Sequence, residues 1–126
     1  MEYTLIYKTR EFASLLKKEA VSDTDLIEAC REMSEGLIDV DLGCNLFKKR
    51  FAAGKRGKRG GFRAIIAAAI GRKYFFLYVF AKNKKANISP KEKLALKELA
   101  KTLVSLDSSQ LNRLVEDGEL MEVGEL

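Results

Sequence analysis

The pattern that decides the fold lies in residues 46–82, LFKKRFAAGKRGKRGGFRAIIAAAIGRKYFFLYVFAK. Three apolar or aromatic stretches in and beside it are bounded by glycines, which is typical of strands separated by turns. We predict strands over Asn45–Ala53, Phe62–Ile70 and Lys73–Lys82. Gly71 and Arg72 fit a tight turn between the last two, with glycine where a positive φ is needed. The stretch therefore predicts an antiparallel meander.

The last of these strands is apolar on both faces. Strict alternation places its side chains in two sets, with Tyr74, Phe76, Tyr78 and Phe80 on one face and Phe75, Leu77 and Val79 on the other. A strand that is apolar on both faces is typical of the centre of a sheet covered on both sides. We therefore predict that these aromatic side chains belong to the core.

Helix signals flank the meander. Tyr3–Tyr7 predicts a first strand, and Thr9 can cap a helix that runs to about Lys18. The run 22–25, Ser-Asp-Thr-Asp, predicts the start of a second helix that ends near Gly36.

Beyond the meander, residues 89–92, Ser-Pro-Lys-Glu, combine a capping serine, a proline at the first helical position and a glutamate three residues after the cap. They predict a helix through about Leu103, with its leucines facing inward: Leu94, Leu96, Leu99 and Leu103. Residues 107–110 predict a last short helix ended by Gly118, and Glu119–Val123 is expected to be extended.

These elements suggest one compact unit. At 126 residues, with 47% hydrophobic and 33% charged side chains, the chain can bury a core without disulfides or metals. We predict a single domain over residues 1–126 of the α+β class. In it, two N-terminal helices and the C-terminal helices pack on an antiparallel sheet formed by the meander and the N-terminal strand.

Several kinds of protein are disfavoured by composition. The chain has no histidine and two cysteines, of which Cys30 falls on the apolar side of the second helix and Cys44 in a turn-like stretch. We therefore predict no metal site, no disulfide and no cofactor. The most apolar stretch, 64–81, is interrupted by residues 71–73, and each half is shorter than the roughly 20 residues of a membrane helix. Without a signal-peptide pattern either, we predict a cytoplasmic protein that does not enter the membrane.

Charge is segregated along the chain. Residues 42–91 contain fourteen Lys or Arg and no Asp or Glu. Residues 1–41 contain five basic and ten acidic side chains, and residues 92–126 contain four and eight. Concentrated like charge opposes folding, whereas ordinary solvated surfaces mix both signs. The split therefore favours a segment that binds a polyanion over a basic surface without function.

Three clusters supply the cations of this segment. On the first meander strand, Lys48 and Arg50 project to one face and Lys49 to the other. The other clusters are a glycine-rich loop, with Arg63 on the strand after it, and the end of the last strand: Lys55, Arg56, Lys58 and Arg59, then Lys82, Asn83, Lys84 and Lys85. Because neighbouring strands lie about 4.8 Å apart, four cations are expected to meet on one sheet surface: Lys48, Arg50, Arg63 and Lys82. The loop glycines allow a close approach to phosphate.

The residue types limit the chemistry of such a site. The basic segment has no histidine and no carboxylate, so it offers neither the usual acid–base pair nor metal ligands. It also lacks the spacing of a nucleotide-binding P-loop and the RNP1 pattern. Cations alone can stabilise the transition state of phosphodiester cleavage, and RNA carries its own nucleophile. We predict metal-independent attack of a 2′-OH on the adjacent phosphate, giving a 2′,3′-cyclic phosphate, with a lysine among other cations as a candidate base.

Two runs carry a family resemblance: LFKKRFAAGKRGKRGGFRAII at 46–66 and FLYVFAKNKKANI at 76–88. Together they resemble the RelE/HigB toxins of bacterial type II toxin–antitoxin systems, and the likeness extends over about Tyr3 to Leu103. It implies a compact microbial-RNase-like α+β fold. It also implies an mRNA endoribonuclease that blocks translation at the A site of the 70S ribosome, and a cognate antitoxin that neutralises it.

The resemblance further implies residue roles. The active-site cations on the strand after the two helices would be Lys48 and Arg50, and the arginine at the scissile phosphate would be Arg63. A loop lysine would be Lys58, and a late basic position would fall near Lys82. The best-known members have a second arginine near Asn83 and a base-stacking tyrosine near Ser89, and this chain has neither. We predict catalytic roles for Lys48, Arg50, Lys58, Arg63 and Lys82, and RNA contacts from Lys55, Arg56, Arg59, Asn83, Lys84 and Lys85.

Alternatives remain open at the level of sequence. A toxin of the ParE type, which poisons gyrase through protein contacts, would not need the set of Lys48, Arg50 and Arg63. A non-catalytic nucleic-acid-binding protein would bind phosphates without turnover. Arg63 could instead pair with the acidic helix of Glu28 and Glu32. Three further cations are expected to be solvated strand or turn charges: Lys49, Arg72 and Lys73. Lys84 and Lys85 either contact RNA or only keep the protein soluble.

Overall fold

The computed structural model describes residues 4–17, 19, 21–51, 61–82 and 84–126. Its strands are β1 Leu5–Thr9, β2 Val40–Gly43, β3 Leu46–Phe51, β4 Phe62–Ala69, β5 Lys73–Ala81 and β6 Leu120–Glu125. Its helices are α1 Arg10–Leu15, α2 Asp23–Ser34, α3 Pro90–Ser105 and α4 Ser108–Glu116.

The described strands form one sheet in the order β2-β3-β4-β5-β1-β6. Neighbouring strands are antiparallel except β1 and β5, which are parallel. The predicted α+β class is confirmed, as is the meander of three strands in the basic segment, here β3-β4-β5. The extended C-terminal tail predicted from sequence is β6, which pairs with β1 at one edge of the sheet.

The helices begin where their capping residues predict. At α2 the Ser22 hydroxyl accepts a hydrogen bond of 3.3 Å from the Asp25 N–H, and the Asp25 carboxylate accepts one of 3.0 Å from the Ser22 N–H. At α3 the corresponding bonds between Ser89 and Glu92 are 3.1 and 2.7 Å. Each box satisfies two backbone donors that a helix start leaves without intrahelical partners. These caps set where α2 and α3 begin.

Helices cover both faces of the sheet. The α2 face packs against α1 and α2 and carries Phe47, Phe51, Ala64, Ile66, Tyr74 and Phe76. The α3 face packs against α3 and α4 and carries Leu46, Ile65, Ala67, Phe75 and Leu77. Strand β5 therefore lies at the centre of a doubly covered sheet, as its two apolar faces predict.

The predicted alternation along β5 is wrong beyond Phe76. Ile65 pairs with Tyr78, but Ile66 pairs with Phe76, so Leu77 is an extra residue opposite β4. A bulge of this kind reverses which face later side chains occupy. Tyr78 therefore packs with Phe75 and Leu77 on the α3 face instead of with Tyr74 and Phe76.

The hairpin of β2 and β3 is absent from the sequence prediction. Gly43 pairs with Leu46, and the two residues between them, Cys44 and Asn45, have φ values of 55° and 63°. Two consecutive left-handed residues are the geometry of a type I′ hairpin turn. Such turns are usually marked by Asn-Gly or Asp-Gly, so Cys-Asn gave no signal.

The prediction that all the α3 leucines face inward is wrong for two of them. Leu94 is 65% exposed and Leu99 41% exposed, whereas Leu103 is buried and Leu96 is partly buried. The buried stripe follows Leu96, Ala100 and Leu103, spaced by four and three residues. At 100° per residue, Leu94 lies on the opposite side of the helix from that stripe.

Candidate active site

Three of the predicted site cations share one face of the sheet. Arg50 on β3 lies directly opposite Arg63 on β4, and Lys48 lies opposite Ile65. Ile65 belongs to the α3 face, so Lys48, which pairs with it, lies on that face too. Arg50 is two residues from Lys48 along β3 and Arg63 two residues from Ile65 along β4, so both share the same face. Directly opposed side chains have Cβ atoms about 5 Å apart, and diagonal neighbours such as Lys48 and Arg63 lie about 7–8 Å apart. We call these three residues the cationic cluster.

The cluster is electrostatically unbalanced. Like charges directly opposite one another on neighbouring strands oppose pairing. The Nη1 atom of Arg63 is buried and has no hydrogen-bond partner among the described residues. Lys48 and Arg63 also have no ion-pair partner among the described residues. A buried donor without an acceptor costs about 1–3 kcal/mol. An anion bound between Arg50 and Arg63 would relieve both conditions.

Arg50 does have an acidic partner, and sequence reasoning missed it. Its Nε lies 3.3 Å from Asp39 Oδ1, and its backbone N–H donates to Asp39 Oδ2. Asp39 directly precedes β2, and its own N–H donates to the Lys48 carbonyl at 3.2 Å. The basic segment contains no carboxylate in sequence, but the β2–β3 hairpin brings this one to its border.

Aromatic side chains lie beside the cluster. Phe80 is opposite Arg63, and Tyr78 is opposite Ile65. The two rings pack against each other with centroids 6.3 Å apart. The Lys85 ammonium lies 5.2 Å from the centroid of the Tyr78 ring and 3.2 Å from its hydroxyl. The β5 bulge is what places these rings on the same face as the arginines.

Lys85 is also held by the first turn of α3. Its Nζ lies 2.7 and 2.8 Å from the two carboxylate oxygens of Glu92. The hydrogen bond from Lys85, followed by the one from the Ser89 backbone, lowers the pKa of Glu92 from its ordinary value near 4.5 to about 2. The same pairing with Glu92 raises the pKa of Lys85. Lys85 thus stays a cation and ties the end of β5 to α3.

Replacing Glu92 by glutamine is expected to lower stability in a pH-dependent way. A carboxylate whose pKa falls on folding stabilises the protein above its unfolded value, and this contribution is lost as the pH falls through the folded value. The urea midpoint of Glu92→Gln should be below that of the wild type at pH 7, and the difference should vanish between about pH 4.5 and about pH 2. Glu98→Gln, in an exposed pair on the same helix, is the matched control. A difference that does not change with pH would contradict the account.

The prediction for Lys49 is wrong. It was expected to be a solvated charge, but it is 3% exposed and forms an ion pair of 2.8 Å with Glu32 on α2. Lys49 points to the α2 face because it lies between Lys48 and Arg50 in an extended strand. The acidic helix therefore pairs with Lys49, and the proposed alternative pairing of Arg63 with that helix is wrong.

The structure shows few contacts for the remaining predicted residues that it describes. Lys82 directly follows β5 and is exposed, as are Lys84 and Arg72. Lys73 donates a hydrogen bond of 2.8 Å to the Leu106 carbonyl and is only partly exposed. The other five lie outside the described residues: Lys55, Arg56, Lys58, Arg59 and Asn83. Among the described residues, no cluster of three or more His, Cys, Asp or Glu side chains could hold a metal ion.

The fold and the cationic cluster together define a small α+β protein with a basic, partly aromatic sheet surface. The family model described as "RelE toxin of RelE / RelB toxin-antitoxin system" matches residues 4–123, and the chain belongs to this family. The resemblance in the basic segment is thereby confirmed. The protein is the toxin of a toxin–antitoxin pair, and its family implies an antitoxin partner.

Two further findings accompany the family match. A search among curated proteins gives no significant match. In the described ranges, every helix is too short or too polar to cross a bilayer.

Proposed function

We propose that this toxin is an endoribonuclease that cuts mRNA in the A site of the 70S ribosome. Members of its family are generally translation-dependent endoribonucleases. Cleavage would begin with attack of an RNA 2′-oxygen on the adjacent phosphorus. The bond to the 5′-oxygen of the next nucleotide then breaks, leaving a 2′,3′-cyclic phosphate and a 5′-hydroxyl. A lysine among the cations is the proposed acceptor of the 2′-hydroxyl proton, and the leaving 5′-oxygen takes a proton from water. The other cations orient the phosphate and stabilise its growing charge.

One observation carries this proposal. Arg50 and Arg63 oppose each other on neighbouring strands, and Arg63 keeps a buried Nη1 without a partner among the described residues. Arginine presents a planar fork of donors that matches phosphate geometry. A scissile phosphate between these two side chains would accept from Arg63 and offset the repulsion between them.

The other cations take their proposed places around that phosphate. Lys48 lies diagonal to Arg63 on the same face and would stabilise the negative charge that develops on the phosphate oxygens. Segment 52–60 joins β3 to β4 at the end where Arg50 and Arg63 lie, so Lys58 is proposed to reach the same phosphate. Lys82, which follows β5 next to the start of β4, is proposed to contact the leaving side. The flanking cations and Asn83 are proposed to bind the message on either side: Lys55, Arg56, Arg59, Lys84 and Lys85.

The test is to add purified protein to translating ribosomes and map the mRNA ends. Wild type should cut messages even when a metal chelator is added at a concentration that leaves the ribosomes intact. The new 3′ ends should carry a cyclic phosphate. The triple variant Lys48→Ala/Arg50→Ala/Arg63→Ala should leave messages intact. Uncut messages with wild-type protein would end the proposal. Inhibition of supercoiling without mRNA cleavage would instead identify a ParE-like gyrase poison, and salt-dependent binding without turnover a nucleic-acid-binding protein.

The antitoxin is expected to place carboxylates on the cationic cluster. Reversing two charges with Lys48→Glu/Arg50→Glu should weaken antitoxin binding by about 100-fold or more, because like charges brought together at an interface cost several kcal/mol. The control is Arg72→Glu/Lys101→Glu, which changes the net charge equally at exposed positions away from the cluster. Titration calorimetry gives both affinities. Full affinity of the first variant would place the antitoxin on another surface.

A further inference from the structure

Asp39 holds a single arginine at two points. Its Oδ2 accepts from the Arg50 backbone N–H, and its Oδ1 lies 3.3 Å from the Arg50 side-chain Nε. Asp39 is itself held in place, because its N–H donates to the Lys48 carbonyl just before β2 pairs with β3. The carboxylate thus links the position of the Arg50 side chain to the backbone of its own strand.

This contact uses only one edge of the guanidinium. A guanidinium is rigid and planar, so fixing Nε together with the backbone restricts the whole plane. The N–H groups on Nη1 and Nη2 of Arg50 have no acceptor among the described residues. The Arg50 side chain remains 52% exposed, while that of Asp39 is 26% exposed. The free fork is therefore the accessible part of the pair.

We propose that Asp39 is a positioning residue of the toxin's active site. It holds Arg50 in the orientation that presents its free fork to the scissile phosphate, and its charge lowers the repulsion between Arg50 and Arg63 when no RNA is bound. This inference rests on the proposed ribonuclease function. Asp39 does not touch the phosphate, and it acts only through Arg50.

The two effects of Asp39 act in opposite directions on binding and on turnover. The Asp39 carboxylate offsets part of the Arg50 charge and so reduces the attraction of Arg50 for RNA. Removing it should therefore leave RNA binding unchanged or tighten it. Removing the clamp frees the Arg50 side chain, and misplacement of a positioning group slows chemistry. Slower turnover without weaker binding is therefore the expected signature. A residue needed only for folding would not give slower turnover without weaker binding, because misfolding lowers both together. An exposed ion pair also contributes little to stability.

The experiment is a double-mutant cycle in single-turnover cleavage of ribosome-bound mRNA. Asp39→Ala should lower the maximal rate by about ten- to 100-fold, with a half-saturating concentration equal to or below that of wild type. Arg50→Ala and Asp39→Ala/Arg50→Ala should have equal maximal rates, because Asp39 affects the chemical step only through Arg50. Glu119→Ala, which breaks the exposed Arg10–Glu119 pair at the far edge of the sheet, should match wild type.

Other outcomes overturn the inference. A wild-type rate for Asp39→Ala would do so, as would a further loss in the double variant beyond Arg50→Ala alone. Loss of the acid limb of the pH–rate profile in Asp39→Asn would make Asp39 a proton acceptor instead. If wild type cuts no message, the proposed function fails, and the same cycle is read from binding of a single-stranded 2′-deoxy oligonucleotide. There, tighter binding by Asp39→Ala that disappears when Arg50 is also alanine supports the coupling. An equal change in both backgrounds, or no change in either, contradicts it.

Discussion

Replacing Arg63 by alanine is expected to lower the rate of mRNA cleavage by about 100- to 1,000-fold, the loss typical of removing one preorganised donor to a developing oxyanion. Arg63 faces Arg50 across the β3–β4 ladder, and its buried Nη1 has no partner among the described residues. The measurement is single-turnover cleavage of ribosome-bound message. Because Arg63 forms no ion pair with a described carboxylate, the variant should also unfold no earlier than wild type.

Two controls separate shape from charge. Arg63→Lys keeps the charge but loses the planar fork, so it should recover only part of the rate. Arg72→Ala removes an exposed arginine from the turn at the other end of β4 and should leave the rate unchanged. Equal rates for Arg63→Ala and Arg72→Ala would remove Arg63 from the site.

Replacing Glu32 by alanine is expected to lower the free energy of unfolding by about 3–5 kcal/mol. The side chains of Lys49 and Glu32 are 4% and 14% exposed and their charged atoms lie 2.8 Å apart, so the variant leaves a buried ammonium without this partner. Urea unfolding gives the free energy. An effect of this size matters because β3 also carries Lys48 and Arg50, and loosening its contact with α2 would disturb the site.

The controls again use matched residues. Glu98→Ala removes a glutamate of an exposed helical pair, which contributes about 0.5 kcal/mol or less. Glu32→Leu/Lys49→Met should recover most of the lost stability, because replacing a buried ion pair by apolar residues is often neutral. A loss below about 1 kcal/mol for Glu32→Ala would show that water reaches the Lys49 ammonium.

Local chemistry made much of the fold predictable. The serine–glutamate box at Ser89 and the Ser22 cap satisfy backbone donors near them in sequence, so a short window contains the whole signal. The β2–β3 hairpin turn is different, because Cys44 and Asn45 adopt left-handed conformations that their types only weakly predict. The bulge at Leu77 depends on how β4 and β5 pair, which a regular alternation along one strand cannot reveal.

The candidate site was predictable as far as the strand period and the strand pairing determine it. The period of two along β3 separates Lys48 and Arg50 from Lys49, and pairing with β4 brings Arg63 to the same face. What lies on the other face follows only from helix packing, so the pairing of Lys49 with Glu32 was invisible. Asp39 was missed because it directly precedes a strand that the sequence did not predict and because it comes from an acidic flank.

The most direct test of the account is a message in which the nucleotide on the 5′ side of the mapped cut carries a 2′-deoxyribose. If the cationic cluster only orients the phosphate and the RNA supplies the nucleophile, wild-type toxin should bind this ribosome complex as tightly as the all-ribose message and fail to cut at that position. Cleavage at the same position and at a similar rate would show that another nucleophile attacks the phosphate, and it would contradict the central claim.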